Sequence, residues 1–131
     1  MQEKTIEEYC RLIDKLDVSG DGIRSIEISK KLDLSKNTVA ITLHKLVENK
    51  FVEMERYGKV KLTKKGAEIA KKMNFKHRVI ETFLFSKLHI AKTKIHEEAC
   101  VIEHSMSDDV AEKLYEFIGK PKTDPHGSSI A

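Results

Sequence analysis

Apolar positions recur at helical spacing from Thr5 to Leu16, where Ile6, Tyr9, Leu12, Ile13 and Leu16 share one side, and "DVSGDG" then breaks the pattern. The spacing predicts a first helix. Ser25 is placed to cap a short second helix carrying Ile26, Ile28 and Leu32. The turn "DLS" follows, with Ser35 as the N-cap of a third helix from Lys36 to about Asn49 that buries Val39, Leu43 and Leu46. Two short helices joined in this way form a helix-turn-helix. In "FVEMERYGKVKLT", Phe51, Val52, Val60 and Leu62 frame a polar segment around Gly58, the alternation of a β-hairpin, and a hairpin in this place is a wing. Thr63 opens a long helical stretch to about residue 88, with Ile69, Met73, Val79, Ile80, Phe83 and Leu84 on its apolar side. After a loop at "HIAKTK" come a helix through residues 96–104 and, capped by Ser107, a last helix in "DDVAEKLYEFIG". The tail "KPKTDPHGSSIA" holds both prolines and no periodicity, so it reads as a loop or frayed end.

The expected fold is mainly α: a winged helix-turn-helix DNA-binding domain at residues 1–72, then an all-helical domain at 73–131, with the linking helix at about 64–88 shared between them. Composition agrees, since 131 residues with 40% hydrophobic and 34% charged describe a helix-rich globular chain. No apolar run approaches the roughly 20 residues that cross a bilayer. The start "MQEKTIEEYC" lacks the apolar stretch of a signal peptide, so the expected location is the cytoplasm, with no membrane partner. In that reducing compartment Cys10 and Cys100 are expected to be free thiols or metal ligands rather than a disulfide. A net charge of +3 is compatible with nucleic acid but too mild to establish it.

The recognition helix of a winged helix-turn-helix enters the major groove with its N-terminal residues towards bases and phosphates. Here those residues are Ser35, Lys36, Asn37 and Thr38, with Thr42 and Lys45 further along. Asn37 suits adenine, because a carboxamide can pair with it bidentately, whereas Lys36 and Lys45 suit phosphates. Arg56, Tyr57 and Lys59 at the wing tip are placed to grip the neighbouring backbone or minor groove. The bland alternative is a helix-turn-helix that packs against a partner with its polar face solvated.

"HEEACVIEH", residues 96–104, raises a second chemistry. His96, Cys100, Glu103 and His104 stand at i, i+4, i+7 and i+8, a stripe of imidazole, thiol, carboxylate and imidazole on one helix face. His77 and Glu81, also i and i+4, form a pair on the preceding helix that an antiparallel neighbour can bring against the stripe. Helix-borne metal sites are built in this manner, although a His–Glu pair alone is more often a surface ion pair and Cys100 can equally be a core thiol. Glu7 and Glu8, by sequence alone, are a solvated acidic start. A winged-helix regulator with a structural zinc site, answering to redox or a small molecule, stands as the alternative reading. A metalloenzyme lacks support, as nothing resembles H-E-x-x-H, and no small-molecule substrate is expected. A pure interaction module leaves the ligand stripe unexplained.

The order of winged helix-turn-helix, linking helix with "HRVIETFL", then "HEEACVIEHSMSDDV" and "DPHGSSI" resembles the diphtheria-toxin-repressor family of metal-activated transcriptional repressors, which includes iron and manganese regulators. The resemblance covers nearly the whole chain. It implies that the second domain dimerises and binds metal, and that the homodimer binds a palindromic operator in double-stranded DNA when divalent metal is plentiful. Carried over by motif, a primary metal site comprises Glu8, Cys100, Glu103 and His104, and an ancillary site His77, Glu81 and His96, with Arg78 beside it able to hold an anion. Glu8 stands where iron regulators commonly have methionine and manganese regulators aspartate. Arg11 replaces an acidic ligand of the manganese type, while Cys100 follows the iron type. Iron(II) is therefore the expected metal and manganese(II) the next, with zinc, cobalt or nickel as substitutes in vitro. Asn37 and Ile41 depart from the proline and glutamine of the iron regulators, so their operator sequence does not transfer. Longer members of the family continue past this point into a third, SH3-like domain.

Overall fold

The computed structural model describes residues 1–130, the side chain of Arg56 excepted. The chain divides into two compact units, Met1–Lys71 and Lys72–Ala131. Its architecture is mainly helical, with a small three-stranded sheet.

The first unit contains α1 (Glu3–Leu16), β1 (Ile23–Arg24), α2 (Ser25–Leu32), α3 (Lys36–Glu48), β2 (Val52–Met54), β3 (Lys59–Leu62) and the start of α4 (Lys64–Ser86). Tyr9 and Ile13 of α1, Ile28 of α2, and Val39, Leu43 and Leu46 of α3 bury together with Val52 and Val60 of the hairpin. The predicted helix-turn-helix and wing are both formed. Ser35 caps α3 by accepting from the Thr38 N–H at 3.1 Å, and the Thr63 hydroxyl caps α4 by accepting from the Gly66 N–H at 3.1 Å.

Three details differ from the sequence expectation. Strand β1 pairs with β3, Ile23 opposite Val60, to give the order β1-β3-β2; two residues are too few to show an alternating pattern. Arg24, not Ser25, occupies the N-cap of α2, and the Glu27 carboxylate accepts from the Arg24 N–H at 3.0 Å, so a first-turn acid satisfies the amide that a capping serine leaves open. Glu7, read as part of a solvated start, is buried, and Cys10 lies in the core with it. Burial, with the charge of Glu7 adding to it, pushes the Cys10 thiol up to about 12, so this cysteine stays protonated at neutral pH.

The second unit holds the remainder of α4, then α5 (Ile95–Glu103) and α6 (Asp108–Phe117). Ile80 and Leu84 of α4 pack on Ile95 and Ala99 of α5, with Met106 and Leu114 around them. Ser107 caps α6 as expected, accepting from the Val110 N–H at 3.1 Å. The buried Lys76 ammonium donates to the Met106 carbonyl at 2.8 Å and lies 2.9 Å from Asp108 Oδ1, which ties α4 to the turn between α5 and α6. The hydrogen bond that Lys76 donates to the Asp108 carboxylate holds that carboxyl below the usual carboxylate range. The tail is a closed loop rather than a frayed end: Thr123 bridges Ser129, the buried Asp124 carboxylate accepts from the His126 and Ser128 N–H groups at 2.9 Å each, and Ile130 is buried.

Gly66 shows how closely the hairpin abuts α4. A Cβ there would lie 2.1 Å from the Phe51 carbonyl oxygen, closer than any real contact allows. Gly66→Ala is therefore expected to destabilise the protein by about 1–3 kcal/mol, against the up to about 1 kcal/mol gain that alanine brings to an unobstructed helix position. Thermal unfolding followed by circular dichroism reads the sign directly; an unchanged or higher melting temperature would refute the close approach.

Candidate metal centre

α4 presents His77 and Glu81 one turn apart, and α5 presents His96, Cys100 and Glu103, with His104 at its C-terminal end. The packing of Ile80 and Leu84 on Ile95 and Ala99 sets these two rows against each other. His77 lies at the centre and is 4% exposed. Its Nδ1 is 2.9 Å from Glu103 Oε2, and its Nε2 is 2.8 Å from Glu81 Oε1 and 3.1 Å from His96 Nδ1. The other ring nitrogen of His96 is 3.7 Å from Cys100 Sγ. One ligand atom from each of His77, His96 and Cys100 falls within 4.8 Å of the others, and His104 Nε2 lies 3.8 Å from Glu103 Oε1.

Every candidate ligand of the second unit thus belongs to one continuous cluster. The two sets suggested by the resemblance touch, because His77 contacts Glu103 and His96 contacts Cys100. Glu8 is an exposed residue of α1 in the first unit, where its carboxylate lies 3.9 Å from the Lys4 ammonium. Arg78, half-buried, donates to the Ser129 carbonyl at 2.8 Å, so its guanidinium holds the tail loop.

His126 joins the cluster although sequence reasoning passed it over. Its Nε2 lies 3.2 Å from Glu81 Oε2, close enough for an ion pair yet out of line for a hydrogen bond, and that oxygen, shielded from solvent, accepts none. The one signal was a histidine after an Asp-Pro pair, a turn sequence that fixes a backbone without indicating where the ring will reach.

The donor set fits a divalent transition metal. Burying the carboxylates of Glu81 and Glu103, 2% and 1% exposed, is costly unless cationic or hydrogen-bonding partners offset it. Imidazole, carboxylate and thiol together suit iron(II), manganese(II) and their borderline neighbours, and the unbonded Glu81 Oε2 is an acceptor that a cation can satisfy.

The predicted DNA-contacting residues lie in the first unit. Lys36, Asn37, Thr38 and Lys45 are exposed on α3, while Thr42 is half-buried. Ser35 is exposed but engaged in the cap, its hydroxyl also donating to Thr38 Oγ1 at 2.8 Å. On the wing Lys59 is half-buried and Tyr57, at φ 69°, is exposed; the side chain of Arg56 lies outside the described residues.

Comparison with known proteins places these features in a family. Residues 63–131 match the family model described as "Iron dependent repressor, metal binding and dimerisation domain". The iron-dependent repressor IdeR of Mycobacterium tuberculosis is 32% identical over 126 residues, which cover 96% of this chain and 55% of that protein. An uncharacterized HTH-type transcriptional regulator of Methanocaldococcus jannaschii is 34% identical over 120 residues, covering 91% of this chain and 96% of the regulator. The structure of the manganese regulator SloR superposes with a TM-score of 0.83 at 36% identity, covering 95% of this chain and 58% of that one. This chain therefore spans little more than half the length of the mycobacterial repressor and of the manganese regulator. These relatives carry the names of repressors and regulators, not of enzymes. With its C-terminal half matched by the family model and nearly its whole length aligned to such repressors, the chain belongs to the iron-dependent repressor family, which includes the diphtheria toxin repressor.

Proposed function

We propose that this chain is a metal-responsive transcriptional repressor that acts in the cytoplasm as a homodimer on a palindromic operator. Residues 1–72 serve as its DNA-binding domain and residues 73–131 as its dimerisation and metal-binding domain. The observation that carries this reading is the buried His77 imidazole with a carboxylate at each ring nitrogen and His96 and Cys100 within ligand reach. Cys100, Glu103 and His104 hold the primary metal, and His77, Glu81 and His96 the ancillary one; His126 joins the latter because its ring closes on the unbonded oxygen of Glu81. When bound, the metal supplies the positive charge that these buried carboxylates otherwise take from hydrogen bonds. The thiol of Cys100 favours iron(II), while the carboxylates keep manganese(II) next in order; zinc, cobalt and nickel serve as substitutes in vitro.

On the DNA side, Asn37 addresses a base and Lys36, Lys45 and Lys59 address phosphates, with Thr38 and Thr42 in support. A second copy supplies the other recognition helix, about 34 Å away for successive half-sites of B-DNA. The second unit leaves Phe85, Leu88, Val101, Val110 and Phe117 exposed, an amount of apolar surface that a partner copy would cover.

The direct test is anaerobic fluorescence anisotropy with duplex DNA from upstream of the chain's own gene, in iron(II), manganese(II), zinc(II) or chelator. Binding is expected only with metal, and most strongly with iron(II). Equal affinity in chelator would reduce the cluster to a structural site and end the sensing mechanism. Cys100→Ala and His104→Ala are each expected to abolish metal-stimulated binding while gel filtration still shows a folded dimer. Retained metal stimulation in both would refute the primary-site assignment.

The ancillary site has its own readout. In a cobalt(II) titration followed by absorbance, His126→Ala is expected to weaken one of two binding steps by about 10-fold, the lower end of what losing a supporting metal contact costs. Unchanged isotherms would remove His126 from the site. The assignment of Glu8 rests on the family resemblance: Glu8→Ala is expected to leave part of the metal affinity and lose its coupling to DNA, and wild-type behaviour in both assays would refute it. Lys45→Ala should weaken all duplexes alike and lower the salt slope by about 1, whereas Asn37→Ala should relax the preference at one base.

A further inference from the structure

Among the described residues, the outer face of α3 carries one large apolar side chain, which polar readout does not use. Val39, Leu43 and Leu46 are buried and hold the helix to its core. Ile41 stands two residues from both Val39 and Leu43, about 200° round the helix from each, and is 52% exposed. It falls between Asn37 and Lys45 at i−4 and i+4, so it shares their exposed stripe. A solitary exposed apolar residue is ordinary on most surfaces. This one lies in the middle of the face that addresses DNA, and as a β-branched residue in a helix it is held close to a single χ1 rotamer. A stiff apolar projection in the major groove has one apolar base feature to meet, the C5-methyl of thymine.

We propose that Ile41 is a specificity-determining residue that selects thymine at one position of each half-site by packing on its methyl group. The inference rests on the operator-binding reading above and names one element of that operator.

The test begins with the manganese(II)-loaded full chain and selection from a randomised duplex library. The selected site is then synthesised with uracil in place of each thymine in turn, which removes only the methyl. For the wild type, one thymine per half-site is expected to be sensitive. Removing a packed methyl costs about fourfold, so substitution in both half-sites costs about 15-fold. Ile41→Ala is expected to bind the thymine and uracil duplexes within about twofold of each other, while Ile41→Val retains most of the discrimination. Because Ile41 is outside the core, both variants should melt like the wild type, which circular dichroism confirms before binding is read. Sequence-specific binding with no methyl-sensitive thymine, or undiminished sensitivity in Ile41→Ala, would overturn this inference alone. Failure of the metal-loaded wild type to select any sequence would overturn the operator-binding reading along with it.

Discussion

The second unit is organised around a buried imidazole with a carboxylate at each of its ring nitrogens. His77 sits between Glu81 of its own helix and Glu103 of α5, at 2.8 and 2.9 Å. Neither carboxylate can be left in so dry a place without a partner, so α5 must present Glu103 at that height and no other. A helix has 3.6 residues per turn, so fixing Glu103 also fixes Cys100 and His96 on the same face. The position of one acid on α5 therefore determines where the remaining donors of that helix can be.

This arrangement has a cost that the surrounding core is small enough to feel. Among the described residues of the second unit the buried apolar side chains are Met73, Val79, Ile80, Leu84, Ile95, Ala99, Ala111 and Ile130, and polar or charged groups share that interior at Lys76, His77, Glu81, Glu103 and Asp124. Buried ion pairs seldom stabilise a protein relative to well-packed apolar residues, and removing one partner strands the other. Such a concentration of them in a unit of this size is better explained by what it binds than by what it holds together.

Most of the fold was legible because helices announce themselves by period and by their caps. Ser35 and Ser107 each accept the N–H expected of a cap, and α3, β2, β3 and α6 fall where the pattern put them. What escaped was short or set by distant chain. Strand β1 is two residues long and exists only because β3 offers it an edge. The cap of α2 moved by one residue because Glu27 reaches back to the Arg24 amide. The burial of Glu7 could not be read from a helix start rich in acids. For the candidate site, spacing along α4 and α5 identified both rows of donors, since ligands on one helix face carry the period of that helix. It could not show that the rows meet through His77 and Glu103, which depends on how the helices dock. Nor could it reach His126, which belongs to a loop and has no period at all.

The tail shows how a loop can supply a donor with the order of a helix. Its backbone is fixed from within, as the Asp124 carboxylate accepts from the amides of His126 and Ser128 and Ile130 is buried. It is fixed from without by Arg78, which donates to the Ser129 carbonyl from the residue next to His77 on α4. Two of the side chains that define the loop's place, Arg78 and Glu81, therefore come from the same turn of the same helix, and the loop meets them at Ser129 and His126. A ring carried on a mobile tail would lose conformational freedom on reaching the cluster, and that loss would be subtracted from the affinity for any ligand it helped to hold. Here the ordering is done by hydrogen bonds that do not involve the ring, so His126 can act on Glu81 without that penalty.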